Sequence, residues 1–175
     1  MREPIPVFGQ GFFYVWRNGK IDQIIIFDYF DPDQYYYKVL NNKEMYLKEK
    51  TMLMNNMQYY LDQEKVLING NRSFPRVKHV DIGLRGDPRY PFIIFFIEFG
   101  GVFVKGLNVY ENIYEEEIVD YSYVVYWIFG EGLKAVEADV GVKYELANDA
   151  HILKFSVPKG TKVGGYERIV FELLD

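Results

Sequence analysis

The chain contains no cysteine, which removes disulfide frameworks, thiolate nucleophiles and zinc–thiolate centres together. Histidine is nearly as scarce, with only His79 and His151. Apart from tyrosine, the hydroxyl side chains are Ser73, Ser122, Ser156, Thr51 and Thr161. None of those serines sits in a G-x-S-x-G elbow, so no hydrolytic triad is expected. Long apolar runs are missing as well. The N-terminal stretch MREPIPVFGQG has no apolar signal-peptide segment, and no run reaches the ~20 residues that span a bilayer. The expectation from these absences is a soluble, cytoplasmic protein without a resident cofactor.

Aromatic side chains are what the sequence has in excess. Sixteen Tyr, fourteen Phe and two Trp bring the aromatic share to 18% of 175 residues, a composition weighted toward strand formers. That length suits one domain, residues 1–175, with enough chain to bury a sizeable core. Few thermolabile residues and many Glu, Lys, Tyr and Ile match a thermostable protein, although ten Asn pull the other way. Net charge is −5. Residues 1–99 are close to neutral, so the excess acid lies beyond Gly100. An acidic chain is a poor default partner for nucleic acid, whose phosphates need clustered cations.

Pro91–Phe99, PFIIFFIEF, is a nearly continuous apolar strand, which predicts cover on both faces. Gly100-Gly101 after it predicts a hairpin to Val102–Lys105. Asn18-Gly19 between Phe12–Arg17 and Lys20–Phe27 is the clearest hairpin signal, and Asn69-Gly70 repeats it between Lys65–Ile68 and Asn71–Phe74. Pro75 then demotes that end to an edge or bend. Further apolar segments at 77–84, 120–129, 133–139, 142–146, 152–157 and 166–174 are divided by Gly, Pro and Asn turns. The fold class is therefore all-β, a mostly antiparallel two-sheet sandwich or jelly-roll-like barrel. Phe95, Ile97, Val104, Val124, Tyr126 and Phe155 are among its expected core residues.

Residues 41–65 are ambiguous. Apolar triplets recur there every seven residues, and Asn41 with Glu44 has capping-box spacing, which together describe at most one helix. Three adjacent apolar residues sweep too much of a helix surface for a single buried stripe, so a β-meander is the preferred expectation.

Four constellations bear on chemistry. Asp28, Asp31 and Asp33 place three carboxylates in one turn, a possible calcium ligand set, although Asp-Pro-Asp is also ordinary turn chemistry. His79 and Asp81 share a strand face, as an oriented imidazole would, with no third group nearby. Arg72, Arg76, Lys78, Arg85 and Arg89 form a basic segment, and Glu111, Glu115, Glu116, Glu117 and Asp120 an acidic one. These segments would suit pairing between copies, or between this chain and another protein, along with free sheet edges. Tyr36 and Tyr60, within Tyr35–Tyr37 and Tyr59-Tyr60, are candidate stacking platforms for sugars. Three functions follow. The first is a non-catalytic binding or self-assembling sandwich, with no nucleic acid or membrane as partner. The second is a carbohydrate-binding module using exposed Tyr. The third is a sugar-processing enzyme, identified by two carboxylates about 5–10 Å apart in a cleft.

Overall fold

In the computed structural model, which describes residues 1–175, Asn18-Gly19 reverses the chain between β1 (Ile5–Val15) and β2 (Lys20–Phe30), with Gly19 at a φ of 93°. Asp31 follows and is wholly buried, and its Oδ2 accepts the Tyr36 N–H at 2.9 Å. That bond steadies the start of a short helix, α1 (Tyr35–Leu40). Asn42 then caps α2 (Lys43–Gln63) by accepting the Met45 N–H.

The preferred β-meander over 41–65 is therefore corrected to helix. This 21-residue stretch contains neither Gly nor Pro and is rich in Met, Leu, Lys, Glu and Gln, which favour helix. The wide apolar sweep is real but is not all buried. Leu61 is packed away, while Met45, Leu47, Met52, Tyr59 and Tyr60 remain exposed.

The Asn69-Gly70 turn, with φ of 49° and 77°, joins β3 (Lys65–Ile68) to β4 (Asn71–Ser73) as the type I′ signature requires. The chain continues through β5 (Arg76–Leu84), β6 (Pro91–Gly100), β7 (Gly106–Ile113), the short β8 (Glu117–Ile118), β9 (Ser122–Phe129) and β10 (Leu133–Asp139). It closes with β11 (Tyr144–Ala147), β12 (Ile152–Val157), the short β13 (Lys162–Val163) and β14 (Glu167–Leu173).

Seven strands form one sheet, in the order β11-β12-β9-β1-β2-β6-β5, and five form the second, β10-β14-β7-β3-β4. The pairing of β8 with β13 adds a two-stranded ribbon. Every pairing is antiparallel except β1 with β9. The all-β sandwich is thus the observed fold, with β4 at a sheet edge beside Pro75 as expected.

Two details differ from expectation. Gly100-Gly101 does not turn a hairpin. The chain leaves the first sheet there, and β7 pairs with β3 and β14 in the second. Close approach explains this glycine pair. A Cβ on Gly101 would lie 2.7 Å from the Ile68 Cβ, and one on Gly100 would lie 2.3 Å from the Gly19 carbonyl oxygen. Nor is β6 covered on both faces. Ile93, Phe95 and Ile97 are buried, whereas Phe92 and Ile94 are half-buried and Phe96 is exposed.

The inner face of the seven-stranded sheet is shared by two cores. Around β1, β9 and β12 it packs on the second sheet, with Trp127 stacked on Phe13 at 4.1 Å between ring centroids. Around β2, β5 and β6 it packs on α1 and α2 through Val39, Leu61, Val80, Ile93 and Phe95. Phe95, Ile97, Val124 and Phe155 are buried as expected. Tyr126 is only half-buried, and Val104, on the connection between sheets, is exposed.

Candidate functional site between the sheets

Two inward positions at the centre of β1 are glycines. Successive strand residues alternate between faces, so Gly9 and Gly11 lie on the side of Phe13 and Val15, which enter the core. Glycine inside a strand leaves space that a side chain would fill. Opposite that gap the two sheets enclose a cavity of about 260 Å³. By comparison, an apolar cavity of roughly 150 Å³ admits benzene.

The walls are mainly aromatic: Phe13 and Phe27 from β1 and β2, Trp127 from β9, Tyr110 from β7 and Phe155 from β12. The floor is polar. Asn112 on β7 stands directly across from Glu167 on β14 and from Val66 on β3. Glu64, the residue that ends α2, comes in from the β3 side. The Asn112 Nδ2 donates to Glu64 Oε2 at 3.0 Å, and the Tyr114 hydroxyl donates to Glu167 Oε1 at 2.8 Å. The Asn112 Oδ1 is buried with no partner. Glu117, exposed on β8, also borders the cavity and marks its mouth. No Lys, Arg or His lines it.

These surroundings disfavour charge on the carboxyls. Burial pushes Glu167 up to about 7, with repulsion from Glu64 adding to it and the Tyr114 bond opposing it. Glu64 is raised too, first by burial and then by Glu117, against the relief given by the Asn112 amide. Burial likewise raises the Tyr110, Tyr114 and Tyr123 hydroxyls, which stay neutral. The cavity therefore offers two protonatable carboxyls, an unpaired amide oxygen and several ring faces.

None of the site residues singled out in the sequence, apart from Glu117, lines this cavity. The three turn carboxylates are engaged separately: Asp28 with Arg85 at 2.9 Å, Asp33 with Arg2 at 2.8 Å, and Asp31 at the start of α1. They do not converge as a metal-ligand group. His79 packs against Phe96, while Asp81 accepts the Tyr46 hydroxyl at 2.8 Å.

The arginines are spread along β5 and its turn, so Arg76 and Arg85 are separated by about 30 Å of strand. Arg76 pairs with Asp62, Arg89 with Asp87, and Arg72 reaches the Glu64 carbonyl while lying over Phe74. Of the acidic segment, Glu115 is free at the surface and Glu116 pairs with Lys162. Tyr36 is buried, and exposed Tyr60 on α2 meets Tyr59 edge-on at 74°, so the two rings make no flat platform.

No family model matches the chain, and no curated protein matches its sequence. Among solved structures, the chain is similar to the folded domain of the LppM protein of Mycobacterium tuberculosis, determined by NMR. The TM-score is 0.46 and the identity 6%, over 100% of this chain and 94% of that one. No helix is long and apolar enough to cross a membrane.

Proposed function

We propose that this protein is a non-catalytic binding module whose ligand is a small organic molecule held between the two sheets. The observation that carries the reading is the Asn112 Oδ1, a buried acceptor without a partner at the floor of an aromatic cavity. A buried polar group left unpaired costs about 1–3 kcal/mol, and a ligand donor at that position removes the cost. Small-molecule sites commonly combine apolar walls with a few convergent polar groups. Binding fits better than sugar hydrolysis, although two carboxyls do share the cavity. A glycosidase must seat sugar on both sides of the scissile bond, whereas about 260 Å³ suits a single ring.

Gly11 provides the test. A Cβ there makes ordinary contact with Val125 at 3.6 Å, so Gly11→Ala keeps the fold. Gly11→Leu puts a branched side chain into the cavity. Single-ring probes (benzylamine, benzyl alcohol and benzoate) are titrated against tryptophan fluorescence in a Trp16→Phe background, where Trp127 is the only indole. At least one should give a saturable change that Gly11→Leu weakens at least tenfold. Equal saturation in Gly11→Leu would place the ligand elsewhere.

A second reading, self-association, is favoured by the outer face of the seven-stranded sheet. Phe12, Ile24, Ile26, Ile94, Phe96 and Tyr126 share that face by register, and neither helix nor the second sheet covers it. Most of its charges are compensated locally, by Asp28–Arg85 and by Lys20 with Asp22 and Glu98, while Lys154 lies over the Tyr126 ring, so little repulsion opposes two copies meeting face to face. Light scattering at micromolar concentration should give a dimer mass that Phe96→Lys with Ile24→Lys reduces to one chain. A one-chain mass in the unaltered protein would end this reading.

A further inference from the structure

We infer that the cavity takes a small organic cation, a primary ammonium on a single-ring or short branched apolar body; this rests on the cavity being the ligand site. The charge balance is the first reason. Glu64, Glu117 and Glu167 border the space and no basic side chain does, so an anionic ligand meets only like charge. The acceptor count is the second. An ammonium has three N–H donors and no acceptor. The floor offers the Glu64 carboxyl, the Glu167 carboxyl and the unpaired Oδ1 of Asn112, a residue only 6% exposed. The aromatic walls are the third. Phe13 and Trp127 stack, with Tyr110 tilted against Trp127 at 4.7 Å, and such ring faces attract a cation and its hydrocarbon body together.

A bare metal ion fits less well. A hard cation such as calcium takes six to eight oxygen ligands, and the floor supplies few oxygens before the wall becomes aromatic. A neutral alcohol can fill the cavity but brings one donor rather than three and no charge.

The experiment is isothermal titration at pH 8 with benzylamine, benzyl alcohol, benzoate and calcium chloride, using the whole chain and its Glu64→Gln, Glu167→Gln and Gly11→Leu variants. Glutamine keeps the shape of each carboxyl, and circular dichroism of each variant confirms the fold. Benzylamine should bind at least tenfold more tightly than benzyl alcohol, with benzoate weakest. Each Gln variant should lose about tenfold for the amine and change the alcohol little. Amine and alcohol binding equally, both lost in Gly11→Leu, would overturn the amine assignment and leave the cavity as the ligand site. Calcium binding as tightly as benzylamine would also overturn it. No binding by any of the three ring probes at millimolar concentration would overturn both the assignment and the cavity reading.

Discussion

Asn108→Ala is expected to lower the unfolding free energy by about 3–4 kcal/mol. Asn108 is completely buried on β7, and its amide is fully bonded. Its Oδ1 accepts the Val104 N–H and the Asn69 Nδ2, both at 2.8 Å. Its Nδ2 donates to the Val104 carbonyl at 2.8 Å and to that of Gly106 at 3.0 Å. These four bonds fix the segment that carries the chain from the first sheet to the second. Asn69, in the β3–β4 turn, is tied in by its own Oδ1 accepting the Val109 N–H. Alanine strands two or three of these groups where water does not reach, each costing about 1–3 kcal/mol before partial relaxation of the segment. Urea unfolding should show a lower midpoint with an unchanged slope. A loss below about 1 kcal/mol would mean that the crossing is held by apolar packing instead.

The same crossing shows why a pair of glycines is ambiguous in sequence. Sequence identifies Gly100-Gly101 as backbone without Cβ, but not whether that freedom is used for a turn or for contact. Here neither residue has positive φ, and the space is taken by Ile68 and by the Gly19 carbonyl. Asn69-Gly70 was legible because a type I′ turn requires positive φ at two successive residues, a local demand. At Asn18-Gly19 only Gly19 takes positive φ, so the hairpin forms as expected but closes as a Trp16–Gly19 turn rather than type I′. The α2 helix was half legible. A cap signal was visible, but it pointed to Asn41 where Asn42 is the cap, and the expectation of a clean apolar stripe weighed against a helix that leaves much of its apolar surface uncovered.

The candidate site was hidden for a different reason. Glu64, Asn112 and Glu167 lie far apart in the chain and meet only through the β3–β7–β14 register. One local signal was available. Phe8-Gly9-Gln10-Gly11 places two glycines on the same face of a strand otherwise filled with Phe and Tyr, a gap in a core-facing row.

A second large effect concerns pH. Glu167 holds its proton up to about 7 in the folded protein, against an ordinary value of 4.5. Between those values the folded chain binds more protons than the unfolded one, so stability falls as pH rises. This contribution is complete below about pH 4.5 and gone above about 7. Its size is on the order of 3 kcal/mol, the linkage value for a carboxyl raised from 4.5 to about 7.

Glu64 is shifted in the same direction and adds to the slope. The groups facing this pair are Tyr110 and Asn112 from β7, Tyr114 just beyond it, Tyr123 from β9 and Glu117 from β8. The tyrosines stay neutral across the window because burial raises them further from it. Asp33, Asp87 and Asp149 are held low by their bonds to Arg2, Arg89 and Lys134 and act in the opposite sense, only below about pH 4. Ligand-free protein should therefore have its highest melting temperature near pH 5 and lose it toward pH 8. Glu167→Gln should flatten most of that decline and be the more stable form at pH 8. A flat profile in the unaltered protein would show that the carboxyl is well solvated.

The most direct test of a ligand site between the sheets is NMR of the protein with benzylamine. Intermolecular nuclear Overhauser effects are expected from its ring protons to the Val125 methyls and the Trp127 indole, both of which line the cavity. The same effects should disappear in Gly11→Leu. Contacts confined to residues of the outer sheet face, such as Ile94 and Phe96, would contradict it.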